Sequence, residues 1–233
     1  MKIITLLTFL NLLLIFVSCN GQAKPIGEEP LDLFDFNFDT KVETLFPDQY
    51  KSKNYKDYYT VPTHYHSISF EKDSTFIDKF GEHKKAVGIE YRQQSSSNMD
   101  TLAIFKNQAF NRINFATNLK NEITVVCAVA DEMTAIQSQN FLKMLTEKYG
   151  KYKKTEGEFG RKFFMYEWQT KRAVIRYSSV FNDERNTVKI AVTENSMTPA
   201  DKDPHFEGYF YTIRKDAVEN IKNLNTGDFV FID

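Results

Sequence analysis

Apolar and polar residues change rhythm several times along this chain, and each rhythm marks an element. Residues 3–17 are apolar except for Thr5, Thr8 and Asn11. Residues 31–38 (LDLFDFNF) alternate, which predicts a short strand or an extended arm. Residues 42–50 predict a helical turn interrupted at Pro47, because proline cannot donate to a helix interior. Short strands follow at 67–70 and 75–80. KAVGIEYRQ (85–93) and TLAIF (101–105) read as a hairpin around the polar stretch 94–100. A second hairpin joins 110–117 to 122–130 through Asn118-Leu119-Lys120-Asn121. Its ITVVCAVA run is the most apolar after residue 17 and is expected as a central strand.

Asp131 then opens the clearest helix, with Asp131 as cap and Glu132 matched to the positive helix start. Met133, Ile136, Phe141, Leu145 and Tyr149 recur at helical spacing, and Gly150 supplies the stop. KYKK (151–154) reads as a solvated basic exit. Residues 163–169, 172–181 and 187–193 predict a three-stranded antiparallel meander, with Trp168 covering the sheet. A loop with Pro199 and Pro204 comes next. Residues 214–224 predict a second helix, closed by a turn at 225–227, and FVFI (229–232) a last strand. The expected fold class is α+β: a largely antiparallel sheet with one main helix packed on it. Residues 86–105 and 173–192 echo one another as hairpins beginning Ala-Val. Chance similarity of two amphipathic hairpins accounts for that, and the fold reading does not depend on it.

The opening stretch changes the picture of where this fold works. Lys2 is the only charge before Cys19, and a positive start, a short apolar run and small residues make a secretory signal. At ~1.5 Å per residue, residues 3–18 span about 24 Å, short of a bilayer core of roughly 30 Å. Phe16-Val17-Ser18-Cys19 resembles the lipobox of bacterial lipoproteins, with Phe16 where Leu, Val or Ile is usual. The resemblance covers only this signal. It implies cleavage after Ser18 and a lipid on Cys19, and Asn20 in place of Asp implies delivery to the outer membrane. Two or more acyl chains anchor stably, each buried CH₂ adding about 0.8 kcal/mol. The expected organisation is a signal peptide at 1–18, a lipidated Gly/Pro-containing tether at 19–30, and one domain at 31–233.

Composition narrows the partners. The chain has 30 Lys and Arg against 31 Asp and Glu, and the signal holds one of the basic residues, so 29 face 31 after cleavage. Such balance excludes a typical nucleic-acid binder, which carries a basic excess. With Cys19 lipidated, Cys127 has no disulfide partner in the chain, and its place in ITVVCAVA predicts a buried, inert thiol.

Candidate chemistry is sparse. Residues 50–66 interleave Tyr50, Tyr55, Tyr58, Tyr59 and Tyr65 with Lys51, Lys53 and Lys56. This composition suits a recognition surface for an envelope protein or a glycan, with Tyr55, Tyr58 and Tyr59 as the contacts. The plainer reading, and the one favoured, is a loop whose rings seal the edge of the core. His64 and His66 would share a face on a strand, yet there is no HExxH and no Cys/His cluster, so no metal or cofactor is expected. No GxSxG, P-loop or dinucleotide fingerprint occurs, and the carboxylates are scattered. The expectation is a lipid-anchored, non-enzymatic binding or assembly-support domain. The alternative is a periplasmic or surface hydrolase acting on envelope polymers.

Overall fold

A nine-stranded antiparallel sheet forms the body of the protein, with β8 in the middle and the other strands set evenly on its two sides. The computed structural model describes residues 23–77, 85–95, 99–185, 188–193, 196–199, 201–224 and 226–232. Residues 1–18, expected as a signal, Cys19 and the end of the strand expected at 75–80 lie outside these residues. In chain order come β1 (Leu31–Asp32), α1 (Val42–Leu45), β2 (Tyr58–Pro62), β3 (Ser67–Ile77), β4 (Lys85–Gln93), β5 (Ala103–Phe105), β6 (Gln108–Phe110), β7 (Arg112–Asn118) and β8 (Ile123–Met133). Then follow α2 (Ala135–Tyr149), β9 (Lys153–Phe159), β10 (Arg161–Gln169), β11 (Ala173–Asn182), β12 (Ile190–Thr193), β13 (Ser196–Pro199) and β14 (His205–Arg214). Three 3₁₀ helices occupy Asp48–Tyr50, Lys215–Asn223 and Gly227–Phe231.

The sheet order is β2-β3-β4-β7-β8-β14-β11-β10-β9. The β7–β8 hairpin and the exact span of β4 agree with the sequence pattern, and the apolar ITVVCAVA run is the central strand. Other pairings differ. β4 lies between β3 and β7, and β5 pairs instead with β1 and β6 in a separate small sheet. No hairpin therefore joins 85–93 to 101–105. β12 pairs with β13, and the place beside β11 expected for it is taken by β14. The segments 86–105 and 173–192 are thus not hairpins. Each is a sheet strand followed by the first strand of an excursion that leaves the sheet.

Three local expectations are corrected as well. β8 runs on through Asp131 and Glu132 to Met133, so Asp131 caps nothing. Thr134 is the helix cap: its hydroxyl accepts from Gln137 N at 3.2 Å, and Gln137 Oε1 accepts from Thr134 N at 2.7 Å. This reciprocal box satisfies donors a helix start otherwise leaves free. The KYKK exit enters edge strand β9. The FVFI segment belongs to a 3₁₀ helix rather than a strand.

Each face of the sheet is covered by different chain. On one, Phe141 and Leu145 of α2, the β5–β6 hairpin and the segment from Ile26 to Tyr50 build a core rich in aromatic rings. Ile26 is buried and its N–H bonds Leu45 O at 3.1 Å, so packing extends upstream of Leu31 into the stretch read as tether. Trp168 is buried, its Nε1 donating to Gly150 O at 2.9 Å. On the other face, Ile221, Leu224, Phe229 and Phe231 cover Val125, Cys127, Val129, Tyr209 and Tyr211. That covering segment is bonded down by side chains: Tyr211 donates to Asp228 O at 2.7 Å and Ser178 to Phe231 O at 2.8 Å. Among the described residues no helix is long and apolar enough to cross a membrane.

Candidate functional site

On the face covered by the C-terminal 3₁₀ segment, one row of side chains crosses the strands. Tyr58 of β2 stands opposite Glu71 of β3, and Glu71 opposite Arg92 of β4. Residues directly opposite in an antiparallel pair point to the same face, so these groups meet there. Alternation then brings Glu90 and Arg92 of β4, and Arg112 and Asn114 of β7, to that side.

Their polar groups are tied into one network. Arg92 Nη2 bonds Glu71 Oε2 at 3.0 Å and Asp73 Oδ2 at 3.2 Å. Arg112 lies between two carboxylates, at 2.9 Å from Asp131 Oδ1 and 2.8 Å from Asp228 Oδ1. Asn114 Nδ2 donates to Asp228 Oδ2 at 2.7 Å, while its Oδ1 accepts from Gln93 N at 2.8 Å. Buried Glu90 accepts from Thr75 at 3.0 Å and from Thr226 at 2.8 Å. Burial pushes the carboxyl groups of Asp131 and Asp228 above their usual range, and the Arg112 charge opposes this without reversing it. Burial works against the Arg112 cation, but Asp228 and Asp131 together hold its pKa above the ordinary value.

Between these groups a cleft of about 300 Å³ is lined by Glu71, Arg92, Gln93, Gln94, Arg112, Asn114, Gly227 and Asp228. Its lining is almost wholly planar and polar: guanidinium, carboxamide and carboxylate. Two donors in it are buried and unmet, Arg92 Nε and Arg112 Nε. Glu90 Oε2 stands 3.9 Å from Arg92 Nε, beyond hydrogen-bond reach. An unmet buried donor is costly, and both belong to arginines that line this cleft.

The tyrosines divide around this cleft. Tyr58 is half-buried, and the charge of neighbouring Glu71 raises its pKa. Tyr55 is 66% exposed with its ring 5.8 Å from that of Tyr58, so the two form an aromatic rim next to Glu71. Tyr59 points to the opposite face, buried against Phe46 and Tyr91 at ring distances of 5.5 and 6.0 Å. It is a core residue and cannot be a surface contact. Tyr50 is buried and Tyr65 exposed.

The other sequence candidates stand apart. His64 and His66 lie in the turn between β2 and β3, not on a strand, and His66 Nε2 is 3.7 Å from Asp100 Oδ2. Among the described residues no group of His, Cys, Asp or Glu is arranged to hold a metal. Cys127 is fully buried, and burial pushes its thiol well up, which makes it inert. A larger open groove of about 980 Å³ separates the arm carrying Phe34, Phe36 and Phe38 from the turn before β11. Several of its charges satisfy one another: Lys148 bonds Phe34 O and Asp35, and Arg214 bonds Glu122 and Asp216.

Comparison with family models, curated proteins and solved structures yields no match. The chemistry of the cleft therefore carries the functional reading. Of the three tyrosines expected as contacts, Tyr55 and Tyr58 stand at the rim of this candidate cleft, whereas Glu71, Arg92, Arg112, Asn114 and Asp228 were not singled out from the sequence. The alternation of Glu90, Arg92 and of Arg112, Asn114 was a usable signal, since two polar residues spaced by two on apolar strands mark a shared polar face. Asp228, beyond the last regular strand, gave none.

Proposed function

We propose that this chain is a lipid-anchored protein of the cell envelope that binds a glycan at the Tyr55–Tyr58 rim and the adjoining cleft. The observation that carries the reading is that juxtaposition: an aromatic platform beside a cleft lined by planar guanidinium, carboxamide and carboxylate groups. The apolar face of a sugar stacks on a tyrosine ring, and its hydroxyl and carbonyl oxygens accept from fixed donors. Two cations and two carboxylates line the cleft, so its charge is balanced. Balance favours a neutral or N-acetylated sugar, since an acidic one would have to displace carboxylates already on the arginines.

Binding is preferred to hydrolysis for a specific reason. Asp228 has Arg112 on Oδ1 and Asn114 on Oδ2, and Asp131 has Arg112 on Oδ1 and Asn111 on Oδ2 at 2.7 Å. Carboxylates held on both oxygens by fixed donors serve as anchors for Arg112 and Asn114 rather than as groups presented to a substrate.

A glycan array with the purified full chain, followed by calorimetric titration of the best ligand, tests this reading. Replacing Tyr55 and Tyr58 together by Ala should weaken binding about tenfold or more while the melting temperature stays nearly constant. Unchanged affinity, or an array with no ligand, would sink it.

The address rests on residues 1–19 and is a proposal of the same kind. Cys19 is read as the mature N-terminus carrying the lipid, with the outer membrane as destination. Metabolic labelling with a palmitate analogue should mark the wild-type chain and leave Cys19→Ser unlabelled. A labelled Cys19→Ser chain would refute the anchor.

A further inference from the structure

Strand β9 ends the sheet, and among the described residues nothing pairs with its outer edge. Its sequence is Lys-Lys-Thr-Glu-Gly-Glu-Phe, and only Thr155 and Gly157 are even partly covered. Exposed edges are templates for further strands, and lysines on an edge ordinarily discourage pairing. Here the lysines precede two glutamates, a pattern that reads differently when the strand meets an inverted copy of itself. We propose that β9 pairs antiparallel with β9 of a second copy of this chain, with the two Thr155 residues opposite each other on the two-fold axis.

Strand geometry and charge select that register. In an antiparallel pair, directly opposite residues are either both hydrogen-bonded or both not, and backbone groups face a given edge at every second residue. Two copies of one strand can therefore pair only about a residue, never between two. Centring on Lys154 or Glu156 sets like charges face to face, and centring on Gly157 opposes Glu156 to Glu158. Centring on Thr155 alone opposes no like charges. It places Lys154 against Glu156 of the copy twice, and puts Lys153 against Gly157. Opposite charges and Thr–Thr contacts across strands are both favourable.

Thr155 adds an observation from within one copy. Its Oγ1 is buried and has no hydrogen-bond partner. Opposite residues have Cβ atoms about 4.5–5.5 Å apart, so a rotation of each half-buried Thr155 side chain toward the axis gives its hydroxyl the other as partner. β9 is also held rigidly enough to act as a template. It pairs with β10 along its whole length, the Phe163 ring lies over Gly157, and Phe159 packs edge-on against Phe231 at 6.0 Å.

Cysteine trapping in the full chain carrying Cys19→Ser tests the register, since buried Cys127 does not react. Opposite residues in either kind of pair have Cα atoms about 4.5–5.5 Å apart, compatible with a disulfide. Mild oxidation should convert Thr155→Cys to a covalent dimer, with about tenfold less from Lys154→Cys or Glu156→Cys. Sedimentation gives a second readout. Lys154→Glu should weaken the dimer about tenfold or more, and adding Glu156→Lys should restore it. Equal trapping at Glu156→Cys, a folded Thr155→Cys chain that stays monomeric, or a charge swap that fails to restore association would each overturn the proposal.

Discussion

Glu207 shows how a single side chain sets the response of this molecule to acid. Arg161 holds it with two bonds, Nη1 to Oε1 at 3.1 Å and Nη2 to Oε2 at 2.9 Å. Tyr209 adds a bond of 2.6 Å and Asn182 one of 2.7 Å. Burial pushes the Glu207 carboxyl up, but these donors outweigh it and hold the pKa below the ordinary 4.5. A lowered pKa means the folded state favours the charged form. The stabilisation is therefore present above pH 4.5 and is lost as pH falls through the folded value. Asp131 and Asp228 act with the opposite sign. Raised above 3.8, they contribute most below that pH and lose the contribution as pH rises through their folded values. Glu207→Gln should cost about 2 kcal/mol at pH 7, as hydrogen bonds to a charged group do, with the difference shrinking in acid. Urea unfolding of both chains from pH 7 to pH 3 measures it. A gap that stays constant would show that Glu207 acts by shape alone.

At the scale of elements, local pattern told what the strands were but not which strands met. β4 lies between clear turn signals and β7 and β8 are near-continuous apolar runs, so all three were legible to within a few residues. β9 was not, because an edge strand buries little and KKTEGEF carries no apolar face. β14 was passed over between two prolines and a helix, although HFEGYFYTIR makes it one of the two neighbours of β8. The pairing of β11 with β14 rather than β12 depends on contacts distant in sequence. So does the candidate cleft, whose lining comes from β3, β4, β7 and the segment at Asp228. Two substitutions probe elements directly. Thr134→Ala removes the α2 cap and should cost about 1 kcal/mol in urea unfolding. Gly88→Ala should cost about 1–3 kcal/mol, because a Cβ there would stand 2.2 Å from Thr117 O, a backbone atom of paired strand β7. A Gly88→Ala chain as stable as wild type would mean that the β4–β7 approach relaxes freely.

Seen whole, the sheet is two four-stranded meanders, β2-β3-β4-β7 and β9-β10-β11-β14, set on either side of β8. Each sends a short hairpin out of the sheet between its third and fourth strands. The segment from Thr226 to Ile232 closes the face opposite α2, so a chain cut after Leu224 should leave Val129, Tyr209 and Tyr211 uncovered. Such a chain should bind the dye ANS and lose its sharp thermal transition. Retained cooperative melting without dye binding would show that the segment is ornamental. The position of β8 between the two meanders also has a consequence for how the protein is made. β7 precedes β8 and can pair with it at once, but β14 emerges from the ribosome only after α2 and five further strands. Throughout that interval the most apolar strand of the sheet offers an open edge to its surroundings. The nascent chain must be shielded, or kept from folding, until both meanders exist, and a polypeptide kept unfolded is the form that a secretion channel can thread.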